Sequence, residues 1–245
     1  MRSSTDRRID LNADVGEGPG EDALYDVITS ANIACGGHAG DRASMDVAVG
    51  LALRHGVAIG AHPSYADREG FGRISRELAP AALASAVASQ IAVLAEIAAT
   101  RGAHVVHVKP HGALYNDAAA RNDVAAAIAE GVVQVSDALV LVGLANSDAI
   151  TLWRARGLRT ASEGFADRAY DSGGRLVPRT QTGALITDPQ AAAGQAVRIA
   201  SAGRCDTICV HADTPGAVAI AQAVRRGLED AGFAVRAPAA PGTSS

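Results

Sequence analysis

The sequence predicts an α/β fold: a single domain forming a closed or nearly closed (β/α) barrel of about seven parallel strands. Three observations carry that expectation. Short apolar runs alternate with longer Ala-rich helical stretches from one end of the chain to the other. No clear linker interrupts this rhythm across the 245 residues. Aromatic residues are only 3% of the chain, so the 48% hydrophobic share comes mainly from Ala, Val, Leu and Ile, which suit helices packed tightly on a sheet.

The elements follow in order. RIDLNAD (Arg8 to Asp14) and SANIACG (Ser30 to Gly36) read as the first two strands. DRASMDVAVGLALRHG then reads as a helix capped by Asp41 and stopped at Gly56, with basic residues in its last turn. VAIGAH (Val57 to His62) is the third strand, and PAALASAVASQIAVLAEIAATRG the next helix, ending at Gly102. HVVHVKP, ALVLVG, LRTASEGF and DTICVHAD supply the remaining strands. Asp188-Pro189 and Thr214-Pro215 each place a capping residue before a proline, the pattern of a helix start. Residues 1–7 and the tail 237–245 are expected to be flexible ends.

Side-chain parity points to a site. In the first strand Asp10, Asn12 and Asp14 share one face, and Ile9, Leu11 and Ala13 the other, so the polar set faces the barrel interior. The pattern recurs at later strand ends: His38 in ACGGHAGD, His62 in GAHPS, His107, Lys109 and His111 in HVKPHG, Glu163 in SEGF, and His211 with Asp213 in VHAD. Strand C-terminal ends of α/β proteins gather at one rim, where active sites sit. His55 and His104 fall away from that set and read as structural or surface residues. Lys109, between two histidines, reads as an enclosed cation able to hold a carboxylate or stabilise an oxyanion. Arg73 and Arg168 also fall near the rim, whereas Arg179 reads as solvated surface. The glycine turn DVGEGPGED offers backbone N–H groups to an anion, without the Gly-Lys-Ser/Thr of a nucleotide-binding loop.

Such a rim permits two chemistries. One is a divalent metal held by Asp14 with His38, His62 or His111; the other is metal-free acid/base catalysis by Asp14, Glu163 and the histidines. Cys35 beside two glycines is the one plausible thiol nucleophile, with a buried, inert thiol as the alternative. The net charge of −4 and the absence of a basic stripe give no reason to expect nucleic acid. No apolar run is expected to reach the roughly 20 residues of a membrane span. The basic N-terminus lacks the apolar region of a secretory signal. The cysteines Cys35, Cys205 and Cys209 read as free thiols of a cytoplasmic protein.

The longest motifs are IDLNADVGEG, ANIACGGHAGD, GAHPSYADREGFGR, VKPHGALYN, SEGFADRAY and CVHADTPGA, spread from Ile9 to Ala217. They resemble the LamB/YcsF family, regarded as the A subunit of bacterial 5-oxoprolinase. The resemblance implies a TIM-like barrel of the glycoside hydrolase/deacetylase type with seven strands. It implies ATP-dependent opening of the 5-oxo-L-proline lactam to L-glutamate, carried out with partner subunits B and C. Asp14, His107, Lys109, His111 and Glu163 are then the expected catalytic residues. Asn12, His38, His62, Arg73, Arg168 and His211 are the expected substrate-binding set. Related barrels hold a metal through an Asp and two His, which carries loosely onto Asp14, His38 and His62. A metal-dependent amidase or deacetylase, and a non-catalytic 5-oxoproline-binding subunit, are the alternatives. Direct contact of ATP with this chain and a homo-oligomeric state are left open.

Overall fold

The computed structural model describes residues 7–237, so the expected flexible ends lie outside the described residues apart from Arg7 and Ala237. Seven parallel strands close into a barrel: β1 (Arg8–Val15), β2 (Ser30–Ala34), β3 (Ala58–His62), β4 (Val105–Val108), β5 (Val140–Leu144), β6 (Thr160–Phe165) and β7 (Thr207–His211). Closure is shown by β1, which pairs with β2 on one side and with β7 on the other.

Helices cover the outside: α1 (Arg42–His55), α2 (Pro80–Thr100), α3 (Gly112–Ala120), α4 (Asn122–Val135), α5 (Asp148–Ala155), α6 (Pro189–Ser201) and α7 (Ala217–Asp230). A two-residue strand, β8 (Ala234–Val235), lies outside the barrel and pairs with Arg8 and Ile9. Two helices follow β4, and residues 166–188 form a long excursion between β6 and α6 that no apolar period announces. Antiparallel bridges Arg168–Leu185 and Tyr170–Leu176 fold that excursion back on itself.

The helix starts have the expected chemistry in two cases and not in a third. Asp41 accepts from the Ser44 amide at 2.9 Å while Ser44 Oγ accepts from the Asp41 amide at 2.8 Å, a reciprocal cap on α1. Asp188 likewise caps α6 by accepting from the Ala191 amide at 2.7 Å. Thr214-Pro215 does not start α7, whose N-cap is Gly216. Thr214 Oγ donates instead to Asp167 at 2.6 Å, a buried partner that outcompetes the cap.

One helix departs from expectation. α2 is 21 residues long with a mean hydropathy of 1.7 over an 18-residue stretch, so by length and composition it reaches membrane-span dimensions. Its alanines hide a patterned face. Leu83, Val87, Ile91, Leu94 and Ile97 are buried at helical spacing, whereas Ser85, Ser89 and Glu96 are exposed. The buried stripe packs towards β3, β4 and α4.

Candidate active site

Inside the barrel the inward residues form hydrogen-bonded layers. At the floor Asp10 accepts from Ser30 and Thr29 at 2.7 Å and from Thr207 at 2.5 Å. Above it Asn12 donates to Glu163 at 3.0 Å and to Thr207 at 2.6 Å, and Asn32 donates to Asn12 at 2.7 Å and to Asp14 at 2.8 Å. His107 Nε2 donates to Asn32 Oδ1 at 2.8 Å. Burial then pushes the His107 pKa down to about 3, so the ring is neutral. Its space exists because β3 carries Gly60, where a Cβ would stand 1.9 Å from His107 Nε2. The other half of the interior is apolar, filled by Val140, Val142 and Ala161.

Lys109 sits over these layers, 2% exposed. Its Nζ lies 2.9 Å from both Asp14 Oδ1 and Glu163 Oε1, and 3.0 Å from Cys209 Sγ. Burial alone would lower the lysine pKa, but the carboxylates, Asp14 first, outweigh it and hold it well above the ordinary value. Asp14 answers in kind: burial raises its pKa, and His62 and Lys109 pull it well below the usual carboxylate range. The pair is an internal ion cluster, charged on both sides.

A second group gathers where β1, β2, β3 and β4 end. His38 and His111 stack with centroids 3.6 Å apart and 1° between planes, and His62 meets each edge-on at 5.5 and 4.8 Å. Glu17 Oε1 lies 2.8 Å from His38 Nε2, 3.2 Å from His111 Nδ1 and 3.6 Å from His62 Nε2. Burial would raise the Glu17 pKa, but its contacts with the His111 and His38 rings lower it. Burial takes His38 down to about 4, whereas the Asp14 and Glu17 carboxylates overcome burial at His62 and raise it. Gly72, at φ +64°, lies over the rings, its Cβ position 2.9 Å from His38 Cβ and 3.0 Å from His111 Cδ2. Glu17, His38, His62 and His111 are thus residues able to hold a metal ion; Asp14, Cys209 and His211 form a second such group.

A cavity of about 940 Å³ opens over both groups. Asp14, Glu17, His62, Lys109, His111 and His211 line its inner wall, and Arg73, Arg168, Arg175, Arg179 and Arg204 its outer part. His211 is held by Asp167, whose carboxylate accepts from Nδ1 at 3.0 Å and from the His211 amide at 3.0 Å. Because a carboxylate only accepts, Nδ1 carries a proton, and in the neutral ring Nε2 is the atom with the lone pair. Phe165 stacks on the ring at 5.3 Å. Arg73 and Arg179 both bind Asp213, the latter at 2.9 Å, so Arg179 is part of the mouth, not solvated surface. Arg168 is 7% exposed, donates to the Val177 carbonyl at 2.7 Å and has no partner for Nε.

The residues expected from sequence therefore divide. Asp14, His62, Arg73, Lys109, His111, Arg168 and His211 line the cavity; Asn12, His38, His107 and Glu163 lie behind its wall. Sequence reasoning passed over Glu17 and Asp167, and misplaced Arg179. Glu17 was hidden in the glycine turn expected to bind an anion. The amides of Gly16, Glu17 and Gly18 in that turn are taken by its own Glu21, whose carboxyl group accepts from them while burial pushes its pKa up to about 7. Cys35 is buried, with its thiol pushed up to about 12, the inert alternative.

Fold and site together define a TIM-like (β/α) barrel of enzyme type, with its reactive groups at the C-terminal ends of the strands. The chain belongs to the LamB/YcsF family, whose model matches residues 9–242. It is 48% identical to a Chloroflexus aggregans protein named as the A subunit of 5-oxoprolinase, over 94% of this chain and 98% of that one. It is similar to the crystal structure of a lactam utilization protein from Thermus thermophilus, with a TM-score of 0.87 and 40% identity over 94% of this chain and 99% of that one. A family 4 carbohydrate esterase from Streptomyces lividans shares the fold alone, at a TM-score of 0.54 and 13% identity over 94% and 92% of the two chains.

Proposed function

We propose that this chain is the A subunit of a 5-oxoprolinase and that, as one barrel domain, it opens the lactam ring of 5-oxo-L-proline to L-glutamate. The observation that carries this reading is the buried Lys109, clamped between Asp14 and Glu163 at the base of a cavity rimmed by arginines. The relatives' names support it, and their designation as one lettered component supports a multi-subunit assembly. In this reading partner subunits B and C complete the enzyme, and ATP hydrolysed by the complex phosphorylates the lactam oxygen. Three free cysteines support a reducing, cytoplasmic setting.

A lactam is an unreactive amide, so its carbon becomes electrophilic only once the oxygen is activated. The activated substrate carries a carboxylate and a phosphate, and Arg168, Arg73 and Arg179 are the cations at the mouth to hold them. Lys109 at the base stabilises negative charge that develops on oxygen as water attacks the activated carbon. Water must lose a proton as it attacks, the ring nitrogen must gain one as the C–N bond breaks, and the acyl phosphate so formed must pass its phosphoryl group to a second water to leave glutamate and inorganic phosphate. His211 serves both proton transfers, because Asp167 fixes its tautomer with Nε2 unprotonated. Asp14 orients the water from the inner wall. Glu163 and His107, which lie behind that wall, are positioning residues for Lys109 and Asn32.

The test is turnover by purified variants combined with the partner subunits. His211→Asn is expected to lower kcat by about 10²–10⁴-fold with little change in KM. Full coupled activity in both His211→Asn and Lys109→Ala would rule the assignment out.

A further inference from the structure

The histidine cluster beside Lys109 has a hydrogen-bonding problem that a cation solves. His62 Nδ1 lies 2.7 Å from the Lys109 carbonyl, and His111 Nε2 lies 2.9 Å from the Phe71 carbonyl. A carbonyl only accepts, so each of these nitrogens carries a proton. In the neutral rings His62 Nε2 and His111 Nδ1 are then bare lone pairs. They face each other at 2.9 Å. Glu17 Oε1, a third acceptor, closes on both at 3.6 and 3.2 Å, and on His38 Nε2 at 2.8 Å. Electron pairs converging in a buried site repel unless a positive centre lies among them.

We propose that Glu17, His38, His62 and His111 form a four-ligand site for a divalent transition metal of the zinc class. The spacing fits. Bonds of about 2.0–2.1 Å in a tetrahedron place ligand atoms about 3.3 Å apart, and four of the six separations, those given above, run from 2.8 to 3.6 Å. All four ligand atoms lie within 4.8 Å of one another. Three imidazoles and one carboxylate suit zinc, cobalt or manganese better than calcium or magnesium, which prefer oxygen. The backbone carbonyls of Lys109 and Phe71 act as the outer partners that orient ligating imidazoles. His38 differs, because its Nδ1 is buried without a partner. It is the ligand whose tautomer the fold leaves unfixed.

Asp14 is not in this set: its Oδ1 is engaged by Lys109 at 2.9 Å and Asn32 at 2.8 Å, and its Oδ2 stands 3.4 Å from His62 Nε2. The site stands on the cluster's geometry and holds whether or not the cavity receives a lactam.

The full chain, treated with chelator and dialysed, is titrated with cobalt(II) and with zinc. Bound metal is measured by elemental analysis and cobalt coordination by visible absorption. The expected result is one ion per chain, with the intense bands of four-coordinate cobalt and a rise in Tm. Glu17→Gln, which keeps the shape, and His111→Ala are each expected to weaken binding at least about tenfold. His38→Ala is expected to weaken it less than His111→Ala. His211→Ala, which disrupts the other group of ligating residues, is expected to keep the ion. Absence of stoichiometric binding, or affinities unchanged in both Glu17→Gln and His111→Ala, overturns the site and shows that a proton on His62 alone relieves the contact. Metal bound by a chain that yields no glutamate with its partners would sink the lactam reading and leave this site standing.

Discussion

Lys109 shows how much of the site is electrostatics held out of water. A lone buried ammonium is expensive, and here two carboxylates at 2.9 Å and the Asn12 amide oxygen at 3.4 Å stabilise it. Removing the lysine leaves Asp14 and Glu163 facing each other unneutralised. Lys109→Met is therefore expected to destabilise the fold by about 3–5 kcal/mol, read as a lower denaturant midpoint at constant slope. Asp167 gives the corresponding acid dependence. Burial pushes its carboxyl up, but His211 and Thr214 pull it below the ordinary 3.8. A carboxylate with a lowered folded pKa stabilises the native state above its unfolded pKa and loses that contribution as pH falls through the folded value. Acid unfolding below about pH 4 is thus expected to be shallower in Asp167→Asn, as followed by circular dichroism across a pH series. An unchanged profile would mean that Asp167 titrates alike in both states. The charged residues at strand ends were legible in the sequence because parity exposed them. Glu17 and Asp167 were not, because each sits just past a strand, where alternation stops and a turn decides where the side chain points.

The elements show the same division. β1 was readable from its alternation, and the caps at Asp41 and Asp188 were readable from local chemistry alone. Thr214-Pro215 carried the same local signal and failed, because Asp167, distant in sequence, claims the threonine hydroxyl. The break between α3 and α4 and the β8 pairing rest on packing between distant segments, which no local period encodes. β3 and β4 are matched through a pair invisible in sequence, Gly60 beneath His107. Gly60→Ala places its Cβ 1.9 Å from the imidazole, so ring or strand must shift. The expected cost is about 1–3 kcal/mol, and His107→Ala in the same chain is expected to recover part of it in a thermal denaturation cycle. Strict additivity of the two changes would show that the contact is relieved elsewhere.

For the whole molecule, the barrel places an apolar wall of Val140, Val142 and Ala161 against a hydrogen-bonded wall that ends in Lys109. The arginine mouth and the reactive floor are then two ends of one cavity. The central claim is that ring opening happens here, while ATP is consumed by the complex. The most direct measurement supplies 5-oxo-L-proline and ATP to this chain alone, to subunits B and C alone, and to all three, with glutamate and ADP read separately. The account expects glutamate only when this chain is present and none when His211→Asn replaces it. Glutamate formed at the full rate by subunits B and C without this chain would contradict it.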